Sequence, residues 1–351
     1  ALVCGLALHE WPEGLGCTKV CRSSPLVLRP SSVDFCTLRS NGTFDAEDFA
    51  TKGYSIVHDW LDAKMIQNLL AIRAETPDTS SIDPGKNGGH TPGYRLPFRD
   101  VLKELPELKE KLNRIVDVLQ EKTDVRIMAT RGDYIASVLF FHTNGSDPNS
   151  MMFPWHQDVE NYFLFDDLYN YLDFYAMLDK PDPHEAGVQV VPFDALKARA
   201  PELYDLAHGA RGDKGAVSFM DPHPGVQYAM ISNRDVGRIM HFHMDSLGCT
   251  YPMRPGDLLL FRGDVIHRTQ KHNKWRVSLN VNVHPPAYTL SQSRLLSGGL
   301  LKYDWMHKSP HQYAGSFGHP PELYRKIRHG FLYRATLRWV RAGLQMVSDL
   351  M

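Results

Sequence analysis

Arg276-Val277-Ser278-Leu279-Asn280-Val281-Asn282-Val283-His284 alternates polar and apolar side chains without a break. Successive side chains of a strand point to opposite faces, so these residues predict a long strand. One face, Val277, Leu279, Val281 and Val283, packs on an apolar layer; the other, with Arg276 and Ser278, turns inward. An inward guanidinium needs an anion, because an uncompensated buried charge costs several kcal/mol. The candidates are an internal Asp or Glu and the carboxylate of a bound dicarboxylate cosubstrate.

Working outward from this strand, the same period marks Tyr134 to Thr143, Leu172 to Leu178, Val188 to Pro192, Val226 to Ile231, Val236 to His243, Asp257 to Arg262 and Val265 to Thr269. Turn signals such as Asp182-Pro183 and Pro255-Gly256 separate them. About eight short strands in a run predict a sandwich or jelly roll. The fold class expected is mainly β with flanking helices (α+β) and a double-stranded β-helix core.

Helical periods flank and interrupt the run. A short acidic helix after Phe44 leads to a strand at Tyr54 to Val57, and Asp62 can cap a helix bearing Met65, Ile66, Leu69, Leu70 and Ile72. Pro106 opens a helix to about Lys122 with Leu108, Leu112, Ile115, Val116 and Leu119 on one stripe, expected to pack on a sheet. A helical insertion covers Asp194 to His208, and residues 76–97 read as a long mobile loop suited to covering a site. The domains read from this pattern are a cysteine-bearing leader at 1–43, a jelly-roll domain at 44–290 and a C-terminal extension at 291–351.

The chain has 351 residues, 39 Lys+Arg against 40 Asp+Glu and 43% hydrophobic residues, a globular balance that excludes a disordered chain. A formal charge of -1 gives no field to attract a polyanion, so nucleic acid is not an expected partner. No stretch approaches the roughly 18 apolar residues of a membrane span, so a soluble protein of undetermined compartment is expected. Ala1 and the apolar residues 1–8 fit a trimmed targeting segment or a simple boundary equally. Cys4, Cys17, Cys21 and Cys36 crowd the leader, with Cys249 alone beyond it; free thiols in a loose leader are expected ahead of a disulfide pair or a small metal knot, since the spacing lacks the paired short intervals of a zinc module. The sequons at Asn41 and Asn144 are no more than chance supplies.

Two His-x-Asp pairs occur, His156-Gln157-Asp158 and His243-Met244-Asp245. Residues i and i+2 of a strand share a face, so either pair can offer two ligands to one metal. His267 supplies a third, and 109 residues separate it from Asp158, enough for intervening jelly-roll strands. Only 22 separate it from Asp245, too few. This spacing selects His156, Asp158 and His267 and leaves His243 and Asp245 as ordinary strand residues. Two His and one carboxylate with an open side form the facial triad of non-haem Fe(II) oxygenases.

Trp155-His156-Gln157-Asp158, Ala186-Gly187-Val188-Gln189-Val190-Val191-Pro192, Pro255-Gly256-Asp257, His267-Arg268-Thr269 and Arg276 together resemble the phytanoyl-CoA dioxygenase-like family of Fe(II)/2-oxoglutarate oxygenases. Gly53-Tyr54-Ser55-Ile56-Val57 also resembles that family's opening, so the resemblance spans about residues 44–290. It implies that His156, Asp158 and His267 bind Fe(II), and that Arg276, helped by Thr269 and Ser278, holds the distal carboxylate of 2-oxoglutarate. Gln157 and Phe174 fall where the family lines the cosubstrate pocket. Molecular oxygen is the further cosubstrate implied, and a substrate C–H is oxidised by hydroxylation, desaturation or ring closure. Asp158 keeps the position a halide would need, which disfavours a halogenase. The long segment 194–250, the leader and the tail after 300 depart from the family pattern, and these departures bear on the substrate.

Candidate substrate contacts are Asn161, Tyr162, Arg131, Tyr134, Arg95, His90 and Asn282. Several Arg and Asn among them suit a small carboxylated metabolite, with kainoid-type ring closure as one example. Rival readings are a non-oxidative cupin-like metal protein, which has no need of Arg276 as a carboxylate anchor, and a hydroxylase of an acyl thioester or macromolecule. A helix from about Glu322 to Val347 carries six basic residues, among them Arg325, Lys326 and Arg328, against Glu322 and the nearby Asp349. Packing on the body or a subunit is expected of it ahead of contact with an anionic membrane surface. The oligomeric state is not legible.

Overall fold

The computed structural model describes residues 26–39, 42–76, 94–95, 97, 99–128, 130–144, 146, 153–158, 170–208, 217–223, 226–231, 236–270 and 274–285. Most of the loop at 76–97 with His90, the residues Asn161 and Tyr162, Cys4, Cys17 and Cys21, and the C-terminal helix lie outside the described residues.

The helices are α1 (Ala46–Lys52), α2 (Ala63–Glu75), α3 (Val101–Glu104), α4 (Pro106–Lys122), α5 (Phe193–Arg199) and α6 (Pro201–His208). The strands are β1 (Tyr54–Val57), β2 (Tyr94–Arg95), β3 (Ile135–Asn144), β4 (Leu172–Asp179), β5 (Val188–Val190), β6 (Val217–His223), β7 (Val226–Ile231), β8 (Val236–Met240), β9 (Cys249–Thr250), β10 (Leu258–Arg262), β11 (His267–Thr269) and β12 (Trp275–His284). Local chemistry sets the helix ends. Asp45 accepts from the Glu47 and Asp48 amides to start α1, and Asp62 accepts from the Met65 amide to start α2. Gly53 ends α1 at φ 86, and a Cβ there would stand 2.5 Å from the Phe193 ring. Only glycine permits this direct turn from α1 into β1. Pro201 divides the single helix expected over 194–208 into α5 and α6, because Ala200 before it is pushed out of helical geometry.

Antiparallel pairing builds a six-stranded sheet in the order β1-β10-β4-β12-β3-β2 and a smaller one in the order β11-β5-β9. The valine face of β12 meets the α4 stripe Leu108, Leu112, Ile115, Val116 and Leu119 in one buried cluster. Burying each such side chain contributes roughly 1.5–3 kcal/mol. A second cluster joins the other face of the large sheet, through Tyr54, Ile56, Tyr175, Met177, Leu259 and Phe261, to Val188, Val190 and Cys249 of the small sheet. The inward polar row of β12 therefore lies between two sheets.

Three expectations are corrected. The strands at 226–231 and 236–240 pair with each other and with β6 in a separate three-stranded sheet, β6-β7-β8, instead of joining the main run. Periodicity marks a strand but not its partner, and Pro222 hid β6. Cys36 is not a free thiol: it is bonded to Cys249 on β9 across 213 residues. Nor is the end of the leader loose. Leu26 is buried, the Arg29 amide donates to Arg199 O, and Tyr251 donates from its hydroxyl to Cys36 O. Among the described residues no helix is long and apolar enough to cross a membrane.

Candidate functional site

Turn and strand geometry bring His156, Asp158 and His267 together from segments distant in sequence. His267 opens β11, and His156 joins its edge through an isolated antiparallel bridge in which each amide donates to the other's carbonyl at 2.9 Å. Asp158 follows two residues later. One ligand atom from each of the three lies within 4.8 Å of the others, a spacing that can hold a metal ion.

The backbone also sets the imidazole tautomers. His156 Nδ1 lies 2.7 Å from Pro154 O and His267 Nδ1 lies 3.0 Å from Val265 O, so each Nδ1 carries the proton and donates it. Each Nε2 is left with a lone pair facing Asp158, at 3.3 Å from Oδ1 for His156 and 3.7 Å from Oδ2 for His267. This is the orientation expected of metal-ligating histidines. Burial first, then the neighbouring His156, lowers His267 to about 4, so it is a neutral donor at pH 7. Burial pushes Asp158 upward, but the charge of protonated His267, then the hydrogen bond and charge of protonated His156, and a hydrogen bond from Asp173 outweigh it and hold the carboxylate well below the usual range.

Asp173 on β4 stands against Asp158 and went unnoticed in the sequence. It is fully buried, and burial together with the charge of Asp158 holds it well above the usual carboxylate range. Asp173 thus carries the proton of the pair and Asp158 the charge. Tyr171 donates to Asp173 Oδ1 at 3.2 Å, and Asn282 donates to both Tyr171 and Asp173.

A brace behind the ligands uses the second His-x-Asp pair. Asp245 lies on a 3-10 turn, not the strand expected, and accepts from Trp155 Nε1 at 2.8 Å. Arg268 Nη1 reaches the same Asp245 oxygen at 2.8 Å while its guanidinium lies 4.7 Å above the Trp155 ring. Residues adjacent to both His156 and His267 are thereby fixed to one carboxylate.

Arg276 is buried on the inward face, where its Nη1 donates to the carbonyls of Ala186 and Gly187. Its Nε has no partner, and among the described residues no carboxylate forms an ion pair with it. The internal salt bridge that was one of the two options is therefore not found among them. Ser278 donates to the Tyr175 hydroxyl at 2.7 Å, and Tyr175 lies under the Arg276 guanidinium. Thr269 Oγ1 accepts from the Phe153 amide, and Gln157 Nε2 donates to Asp264 O at 2.6 Å.

Phe174 is a correction. Its ring lies 6.2 Å from Trp60 in the cluster beneath the helices, on the opposite face of β4 from the site. Leu172-Asp173-Phe174-Tyr175 is too uniformly bulky for alternation to fix its face, and a slip of one residue exchanges the faces. Asp173 and Tyr175 take the inward positions. Arg131 is held on the surface by Glu110 and Asp117 of α4, each at 2.7 Å. Tyr134 donates to Asn113 Oδ1 of α4, and Arg95 donates to the carbonyls of Arg73 and Thr76 at the end of α2. Of the described substrate candidates, Asn282 alone shares the inward face with Asp173.

No protein-family model matches the chain, and no curated protein matches it. Solved structures give distant likenesses. SnoN, an α-ketoglutarate-dependent epimerase from nogalamycin biosynthesis solved with Fe3+, α-ketoglutarate and nogalamycin RO, is 14% identical over 73% of this chain and 87% of its own, with a TM-score of 0.44. EvdO2 from Micromonospora carbonacea var. aurantiaca, solved with 2-oxoglutarate, is 13% identical over 77% and 96%, with a TM-score of 0.44. EctD from S. alaskensis, solved with 2-oxoglutarate and 5-hydroxyectoine, is 13% identical over 76% and 85%, again at 0.44. At this distance the likenesses stand beside the site without adding to it.

Proposed function

We propose that this chain is an Fe(II)- and 2-oxoglutarate-dependent oxygenase of small molecules, with a jelly-roll core of the phytanoyl-CoA dioxygenase-like kind. The observation that carries this reading is the pairing of two imidazole Nε2 atoms and one ionised carboxylate with a buried Arg276 that has no carboxylate partner among the described residues. Two His and one carboxylate suit Fe(II). The strand order supports the jelly roll: β12 runs between β4 and β3 in one sheet, and β11 between the His156 bridge and β5 in the other. The burial of Leu26 and the Cys36–Cys249 bridge support counting residues from 26 onward with this domain.

His156, Asp158 and His267 would hold the iron, and Arg276, with the Ser278–Tyr175 pair beside it, the distal carboxylate of 2-oxoglutarate. The bound metal and cosubstrate supply the oxidation, in which oxygen and 2-oxoglutarate are consumed, succinate and carbon dioxide leave, and a substrate C–H is oxidised. The chain's own part is placement. Asp173 retains its proton beside Asp158 and so leaves Asp158 as the charged ligand. The brace of Asp245, Arg268 and Trp155 fixes the ligand-bearing segments.

The inward polar group Tyr171, Asp173, Asn280 and Asn282 favours a small polar substrate over an acyl thioester. The carboxylated class loses two supporting residues, because Arg131 and Arg95 are engaged with helices. Hydroxylation and oxidative ring closure both fit this site.

Arg276→Met tests the reading. A charge-assisted bond to a buried carboxylate contributes roughly 1.5–3 kcal/mol, so 2-oxoglutarate should bind ten- to a hundredfold more weakly while metal affinity is retained. Calorimetric titration with a redox-inert divalent ion in place measures both. Unchanged 2-oxoglutarate affinity would assign Arg276 a structural role and favour a non-oxidative cupin-like protein.

A further inference from the structure

We propose that Lys180 is a second cationic anchor for the dicarboxylate cosubstrate, acting with Arg276 and Thr143 as one cross-strand row. The proposal rests on the oxygenase reading above and adds a residue to it. On one side β12 pairs with β3, where Arg276 is opposite Thr143. On the other it pairs with β4, where the final match is Val277 with Asp179. The register shifts by one residue between Ser278 and Val277, and one step beyond that last match, just past the end of β4, brings Lys180 level with Arg276. Residues directly opposite on neighbouring strands share a face, so the three side chains line up.

All three are buried, with 4%, 3% and 6% of Thr143, Arg276 and Lys180 exposed. The row has unused donors: Thr143 Oγ1 and Arg276 Nε have no hydrogen-bond partner. Lys180 Nζ donates to Pro183 O at 3.2 Å, which uses one of its three N–H groups.

Two of the surrounding carboxylates, those of Asp182 and Asp257, are otherwise occupied. Asp182 and Asp257 are the acids that act on Lys180. Asp182 accepts from the His184 amide, and Asp257 accepts from the Asp59 and Arg254 amides and lies 3.1 Å from His58 Nδ1. Glu185, on the loop after β4, forms no ion pair with Lys180 or Arg276 among the described residues, and its Oε2 has no partner. Two neighbouring buried cations without a paired anion are costly in the free protein, and a terminal carboxylate offers one oxygen to the guanidinium and one to the ammonium.

Geometry thus places the cation, and its titration follows. Burial first and Arg276 next lower Lys180 to about 8, with Asp182 and Asp257 only partly opposing them. The charged form binds a carboxylate, so the anchor is in place below pH 8 and is lost as pH rises through it. With neutral Lys180 binding about as weakly as a methionine there, the affinity for 2-oxoglutarate should fall about fivefold between pH 7 and pH 9.

Calorimetric titration of 2-oxoglutarate into the full chain loaded with Mn(II), at pH 7 and pH 9, tests this on wild type, Lys180→Met and Lys180→Arg. Wild type should show the roughly fivefold fall. Lys180→Met should bind on the order of tenfold more weakly at pH 7 and lose that pH dependence. Lys180→Arg should bind within a few-fold of wild type and stay flat with pH, since a guanidinium does not titrate in this range. Equal binding by wild type and a folded Lys180→Met at both pH values would overturn the proposal and leave the oxygenase reading standing. A wild-type profile flat from pH 7 to pH 9 would overturn it even if Lys180→Met failed to fold. Mn(II) uptake by wild type with no binding of 2-oxoglutarate would overturn the oxygenase reading itself, and the anchor with it.

Discussion

His267→Ala should lower divalent-metal affinity by more than on the order of a hundredfold and reduce 2-oxoglutarate-dependent turnover to background. Loss of a group that merely orients a ligand commonly costs 10- to 100-fold in metal affinity, and here one of three ligands is removed. His267 faces Asp158 with its Nε2 and pairs through its backbone with His156, so alanine keeps the bridge and deletes only the donor. Metal uptake measured by calorimetry, alongside circular dichroism to verify the fold, separates this from unfolding. A folded variant that binds metal as wild type does would remove the cluster as the metal site.

Loss of the Cys36–Cys249 bridge should produce the largest change in stability. It closes a loop of 213 residues between the N-terminal segment and β9. Constraining so long a loop in the unfolded chain stabilises the fold by roughly 2–5 kcal/mol, a large part of the roughly 5–15 kcal/mol of an ordinary domain. Cys36→Ser combined with Cys249→Ala should unfold at a clearly lower denaturant concentration, and reductant should shift wild type but not the double variant. Cys249 pairs with Val190, which pairs with His267, so β9 lies two strands from the ligand. Native-state metal binding should therefore survive the substitution. An unchanged unfolding midpoint would show that the packing of residues 26–39 holds without the bridge.

Where one physical signal dominates, the sequence was readable. The alternation of residues 276–284 names both faces of β12, and the valine face meets α4 as its stripe anticipates. Asp62 and Pro106 mark their helix starts because capping and the missing proline N–H are local effects. Legibility ended where partners are chosen over long distances. Nothing local assigns β7 and β8 to a separate sheet or joins Cys36 to Cys249, since both are decided by tertiary packing.

The site divides in the same way. Spacing alone groups His156, Asp158 and His267, which the fold then brings within one ligand set. Asp173 escaped notice because it bears on the site across a strand pairing, and Asp245 was set aside as an ordinary strand residue because its partner Trp155 is 90 residues away. Phe174 was misassigned because its strand has too few polar residues to reveal which face is inward. Asp173 was the available clue: a lone carboxylate in a run of apolar residues marks the face that has polar company.

The most direct test of the central claim is an anaerobic titration of wild-type protein with Fe(II) and 2-oxoglutarate, followed by visible absorption. A charge-transfer band that requires both additions, and is absent from folded His156→Ala and His267→Ala, is the predicted result. No band in wild type, or the same band in both variants, would contradict the assignment of His156, Asp158 and His267 as the iron site of a 2-oxoglutarate-dependent oxygenase.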